Sequence, residues 1–246
     1  MIITFLGTKG GTGTTTMAVN CAAEIYRLSR RPTVIVDAKQ GHGDVAVFLG
    51  LRPRYSIVDL IDQLGWSERA LASRFVTEHD SGVHVLAAAE GFARPNSRDG
   101  EAVEQSLICL SKMYDFVVID AGSTLSSSAV TAMTIADVVM LVANPDLPCL
   151  RNLQRLTDAL RLAGVAPEHL RVLLNRASDN GLLPVSQIEK VLRRTIDFLV
   201  PSDYRTVAAA VNTGVPVRNL RQTDLHLQLE VMSRTLLGLN ADAAAS

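Results

Sequence analysis

Apolar residues in this chain fall into short unbroken runs separated by stretches of helical spacing. The runs IITFLG (2–7), PTVIVDA (32–38), GVHVLAAA (82–89), DFVVIDAG (115–122), DVVMLVAN (137–144), LRVLLNR (170–176) and DFLVP (197–201) read as strands. They are continuous rather than alternating, which is the pattern of parallel strands buried on both faces. Helical patterns lie between them, at 16–30 and at about 56–64, 100–112, 126–135, 148–163, 185–194, 203–212 and 222–238. Repeated strand–helix alternation predicts right-handed crossovers and an α/β fold: a doubly wound, mostly parallel sheet with helices on both faces. No linker, repeat or low-complexity tract divides the chain, so a single domain is expected over 1–239. The tail NADAAAS (240–246) is small and polar and is expected to fray.

Composition narrows the class. The 246 residues are 48% hydrophobic and 20% charged, as in an ordinary globular chain with a substantial core. The formal net charge of -1 gives no reason to expect DNA or an anionic membrane as a partner. Cys21, Cys109 and Cys149 are far apart, form no CxxC pair and sit in apolar stretches, so buried free thiols in a reducing cytosol are expected. The histidines form no ligand-like cluster. No secretory signal and no run of about 18 apolar residues is visible, so the expected location is cytoplasmic, with no integral membrane segment. The last helical pattern carries Arg234 against Asp224 and Glu230, which suits core packing better than a basic membrane anchor.

The candidate chemistry starts with GTKGGTGTTTMAVN (7–20), glycine-rich and set between a predicted strand and a predicted helix. Backbone amides in such a turn, together with the helix N-terminus, make a phosphate cradle. The dinucleotide fingerprint GxGxxG fails, because Thr16 stands where its last glycine belongs. The pattern GxxxxGK[ST] fits in part: Gly13 is in place and Thr15 offers a magnesium-binding hydroxyl, but Thr8 replaces the first glycine and Thr14 the lysine. A tight strand–helix turn without a ligand is the plainer alternative.

KGGTGTTT (9–16) resembles the deviant phosphate loop KGGxGK[ST]T of the MinD/ParA family of ATPases, and the likeness extends along most of the chain. VIVDAKQGHGDVAVFLGL (34–51), YDFVVIDAG (114–122), ADVVMLVANPDLPCLRNLQRL (136–156), VLLNRA (172–177) and VPSDYRTVAAAVNTGVPV (200–217) each resemble a family segment. The combination is closest to the CpaE/TadZ-like branch associated with Flp-type (tight-adherence) pilus assembly. That branch often carries an N-terminal receiver-like domain, whereas this chain starts at the ATPase strand.

The resemblance implies ATP and Mg²⁺ as cofactors, and an ATP-dependent homodimer in which Lys9 reaches the partner's nucleotide. Gly10, Gly11, Thr12, Gly13, Thr14, Thr15 and Thr16 would hold the phosphates. Asn175, Arg176, Pro201 and Asp203 would lie on the adenine side. Thr15, Asp37 and Asp120 would serve the metal, with Asp37 positioning water and Lys9 as the second catalytic candidate. Bland alternatives stand beside each: a solvated lysine, capping aspartates, an Asn at a strand–loop junction, and a Pro-Ser-Asp turn.

Two departures bear on turnover. Thr14 supplies no charge; a charge-assisted hydrogen bond is worth about 1.5–3 kcal/mol, so its loss weakens binding roughly ten- to a hundredfold. Lys39 stands where the family has an aspartate that orients the attacking water, and a lysine cannot accept that proton or bind magnesium. Slow or absent hydrolysis follows, unless Lys39 reaches the phosphates in place of the missing loop lysine. The expected function is an ATP-binding, dimerising localisation or assembly factor for a pilus or secretion machine, recruited by partners to the inner membrane or cell pole. A cycling partitioning or positioning ATPase and a nucleotide-free scaffold are the alternatives.

Overall fold

The computed structural model describes residues 1–39, 43–63, 73–88, 99–178, 181 and 183–239. The tail expected to fray lies outside them. The strands are β1 (Ile2–Gly7), β2 (Thr33–Asp37), β3 (Thr77–Glu78), β4 (His84–Leu86), β5 (Phe116–Asp120), β6 (Val138–Ala143), β7 (Leu170–Ala177) and β8 (Phe198–Pro201). The α-helices are α1 (Thr14–Ser29), α2 (Val45–Phe48), α3 (Ile57–Gln63), α4 (Asp99–Ser111), α5 (Ser127–Thr134), α6 (Leu147–Leu162), α7 (Val185–Leu192), α8 (Tyr204–Thr213) and α9 (Asp224–Leu236).

The strands form one sheet in the order β3-β4-β2-β5-β1-β6-β7-β8. Every pairing is parallel except β3 with β4. The antiparallel two-residue β3 and the single turn of α2 were not anticipated; each is too short to carry a period. The strand expected over 82–89 is limited to His84–Leu86, with an isolated bridge from Ala87 to Ser56.

Alternate residues of β1 feed opposite layers. Ile3 and Phe5 join a core cluster with α1 and α9, while Leu6 joins another with α5 and α6 on the far side. Thr4, fully buried in the same strand, donates its hydroxyl to the Ala132 carbonyl at 3.0 Å. This double burial is why the runs are apolar without alternation. Helix α9 packs into the α1 side through Leu225, Leu229 and Met232, so it is a core helix as expected. Among the described residues no helix is long and apolar enough to cross a membrane. The cysteines are free; Cys21 and Cys149 are buried, whereas Cys109 is only half-buried.

The central strand sets the site. β1 lies between β5 and β6, and the register places Asp37 beside Asp120 at the C-terminal ends of β2 and β5. The chain leaves β1 at that same edge and turns into α1. Ligands of open α/β sheets bind in the crevice at such strand ends.

Candidate functional site

The loop after β1 opens into a cavity of about 520 Å³ lined by Lys9, Gly10, Gly11, Gly13, Thr14, Thr15 and Thr16 on one side and by Lys39, Asp44 and the Ala121–Thr124 segment on the other. Gly13 is the N-cap of α1, at φ 91°, with no side-chain cap. The first backbone bond of the helix runs from Met17 N–H to the Gly13 carbonyl at 2.9 Å, so the amides of Thr14, Thr15 and Thr16 lie ahead of it. Uncapped amides and the positive end of a 16-residue helix favour an anion in this cavity.

A threonine ladder holds the loop from below. Thr12 Oγ1 donates to the Lys9 carbonyl at 3.0 Å and lies 3.2 Å from Thr14 Oγ1. Thr14 therefore braces the turn and carries no charge. Thr15 Oγ1 donates to Asp120 Oδ2 at 2.5 Å. Asp120 is fully buried, and its other oxygen accepts the Gly122 amide at 3.0 Å.

Lys39 lies in the same place. Its ammonium donates to Thr15 Oγ1 at 2.7 Å and to Asp44 Oδ2 at 2.7 Å, and sits 3.2 Å from Asp120 Oδ2. Burial opposes its charge, but attraction to Asp120, the bond to Asp44 and the field of Asp37 outweigh that and raise its pKa above the ordinary lysine value. Asp37, 1% exposed, is engaged by backbone on both oxygens: Oδ2 accepts from Val45 N–H at 3.0 Å, starting α2, and Oδ1 from Lys39 N–H at 3.3 Å. Burial, then the Asp120 charge, pushes its carboxyl up to about 6 despite Lys39 and the two amides.

Lys9 is half-exposed, and its ammonium bonds the Asp146 carboxylate at 3.1 and 3.3 Å. Asp146 also caps α6, accepting from Cys149 N–H at 2.9 Å. The bond to Asp146 holds the Lys9 ammonium above its usual pKa. Sequence reasoning missed Asp146 and Asp44 as partners. Asp146 was findable as a helix start, an Asp two residues before Pro148, but not as the acid opposite Lys9.

A second cavity of about 320 Å³ adjoins the first, sharing Gly13 and Thr16 and lined by Asn175, Arg176, Pro201 and Asp203. Asn175 uses its amide on the loop: Nδ2 donates to the Thr12 carbonyl at 2.7 Å and Oδ1 accepts from Arg176 N–H at 2.9 Å. Arg176 sits at φ 56°, next to a bulge in the β7–β8 pairing, and its guanidinium donates to the Gly11 carbonyl at 3.1 Å. Asp203 caps α8 through Thr206 N–H at 3.1 Å. The hydrogen bond from Thr206 leads in holding its pKa low. The residues assigned to the site from the sequence thus gather around two joined cavities, with Thr12, Asp37 and Asp120 buried behind their walls.

A parallel sheet whose central strand runs through a glycine-rich turn into an uncapped helix has the P-loop nucleoside-triphosphatase fold. Residues 1–167 match the family described as AAA domain, and the chain belongs to it. Curated relatives include the septum site-determining protein MinD of Thermotoga maritima, 24% identical over 96% of this chain and 88% of that one. An uncharacterised ATP-binding protein of Methanocaldococcus jannaschii is 25% identical over 86% of this chain and 78% of its own length. Among solved structures, a ParA family ATPase from Chlorobium tepidum superposes with a TM-score of 0.87 at 20% identity, covering 94% of this chain and 98% of the other. MinD from Pyrococcus horikoshii, complexed with Mg-ADP, gives 0.80 at 22% identity over 100% and 99%. The fold is that of the MinD/ParA ATPases.

Proposed function

We propose that this chain is a nucleotide-dependent positioning switch of the MinD/ParA type, binding ATP with Mg²⁺ and closing as a homodimer around it. The observation that carries the reading is the cavity at the uncapped start of α1, with Thr15 and Asp120 converging beneath it. The amides of Gly10–Thr16 would hold the triphosphate oxygens, and the cavity lined by Asn175, Arg176, Pro201 and Asp203 would take the base. A hydroxyl and a carboxylate are the oxygen donors that Mg²⁺ prefers, so the residues fit the ion once the Lys39 ammonium leaves them. Mg²⁺ would neutralise phosphate charge there; Asp37 holds α2 and the Lys39 backbone in place.

Hydrolysis is slow on this reading. Phosphoryl transfer depends on positioning and on cations around the transferred group. Thr14 brings no cation, and Lys39 occupies the position in the cavity wall where the family pattern has an aspartate to orient water. Lys9 reaches a partner's phosphates only by releasing Asp146. Relatives that determine septum sites favour a role in spatial positioning. The narrower assignment to Flp-type pilus or secretion assembly rests on the sequence correspondence at 34–51, 136–156 and 200–217, as does partner-driven recruitment of a cytoplasmic chain to the inner membrane or pole. The single-domain reading over 1–239 accords with the one continuous sheet.

Calorimetry with Mg-ATP, followed by light scattering, tests this. Binding together with an ATP-dependent rise to the mass of two chains supports it. No binding overturns it in favour of a nucleotide-free scaffold.

A further inference from the structure

We propose that Lys39 is a tethered cation holding the divalent-metal seat of this site, so that the metal enters only by displacing it and nucleotide binding depends little on added Mg²⁺. The inference rests on the nucleotide-binding reading above and assigns Lys39 a role within it.

Geometry carries the argument. The two oxygens that suit a metal, Thr15 Oγ1 and Asp120 Oδ2, lie 2.5 Å apart, and the Lys39 nitrogen is 2.7 Å from one and 3.2 Å from the other. Asp44 Oδ2 closes a third side at 2.7 Å. An ammonium has three N–H donors and no acceptor, and here three oxygens surround it. A second cation on those oxygens would stand within a few ångströms of the first, where repulsion is large at the low dielectric of a buried site. Lysine and metal therefore exclude each other.

The lysine's path is shaped for it. Its side chain is only 15% exposed. Its stem runs along Gly122, where a Cβ would come within 3.0 Å of Lys39 Cγ. Gly122 also has φ 70°, a conformation that side chains other than glycine's rarely adopt. From this slot the ammonium forms part of the wall opposite the Thr14–Thr16 amides. It supplies at one point the charge that Thr14 lacks and the charge that a metal would bring. A purely structural role, neutralising buried Asp37 and Asp120, predicts instead a loss of stability on substitution and no effect on metal dependence.

The test is ATP calorimetry on the full chain in EDTA and in Mg²⁺, for wild type and for Lys39→Gln. The wild-type Kd is expected to differ between buffers by less than about threefold, whereas the variant binds about tenfold or more weakly without the metal. A tenfold or greater metal dependence in wild type overturns the proposal while leaving the nucleotide reading intact, and this arm needs no folded variant. Equal metal dependence in wild type and variant overturns it as well. Absence of ATP binding in both buffers removes the nucleotide reading and this inference together.

Discussion

Asn175 and Thr12, 163 residues apart, are joined by a 2.7 Å hydrogen bond from the Asn175 amide to the Thr12 carbonyl. This bond ties the end of β7 to the loop after β1, so the two joined cavities share one strut. Gly13 is the residue that lets it form: a Cβ there would lie 2.4 Å from Asn175 Nδ2, and its φ of 91° disfavours any other residue.

Asn175→Ala is expected to destabilise the chain by about 1–3 kcal/mol in urea unfolding, because it strands a buried carbonyl. Gly13→Ala is expected to lose at least as much, since it adds a steric clash and backbone strain to the same lost bond. Both variants should weaken ATP binding. Stability within about 0.5 kcal/mol of wild type for both would show that the strut carries no energy.

Asp37 makes stability depend on pH in an unusual direction. Its carboxyl is raised from 3.8 to about 6 in the folded chain, so the folded state holds the proton more tightly than the unfolded one. The penalty of ionised Asp37 is absent below about pH 4 and complete above about pH 6, on the order of 2–3 kcal/mol at most. Asp37→Asn cannot ionise. The stability of wild type minus that of the variant should therefore fall as pH rises from 4 to 7, in urea unfolding at several pH values. A difference that stays flat across that window would place the raised pKa elsewhere.

Lys9 and Asp146 form an exposed pair that competes with the dimer contact proposed for Lys9. Asp146→Asn keeps a cap for α6 but removes the charge that detains Lys9. Light scattering in Mg-ATP should then show a larger dimer fraction at equal concentration. Lys9→Ala should leave the unfolding midpoint almost unchanged, since exposed pairs contribute little, yet abolish the ATP-dependent dimer. Normal dimerisation of Lys9→Ala would remove Lys9 from the interface.

Much of this architecture was legible in the chain. Among the described residues, seven of the eight strands and the longer helices follow from unbroken apolar runs and helical spacing, because a two-sided sheet demands that pattern wherever it passes. The loop from Lys9 to Thr16 was legible because glycines between a strand and a helix have few other uses. β3 and α2 were not, being held by pairing with β4 and by the Asp37 carboxylate rather than by any period of their own.

The sequence by itself determined that residues 9–16 form a glycine-rich turn between a strand and a helix, and that Thr14 stands where the pattern has a lysine. It also identified Lys39 as the residue out of pattern. Only the tertiary structure decided where that lysine goes. Its three oxygen partners come from residues 15, 44 and 120, on three separate segments, and the slot it follows is opened by Gly122. Local propensity carries no information about such a meeting, because it exists only once β2 and β5 lie side by side in register and α1 starts above them.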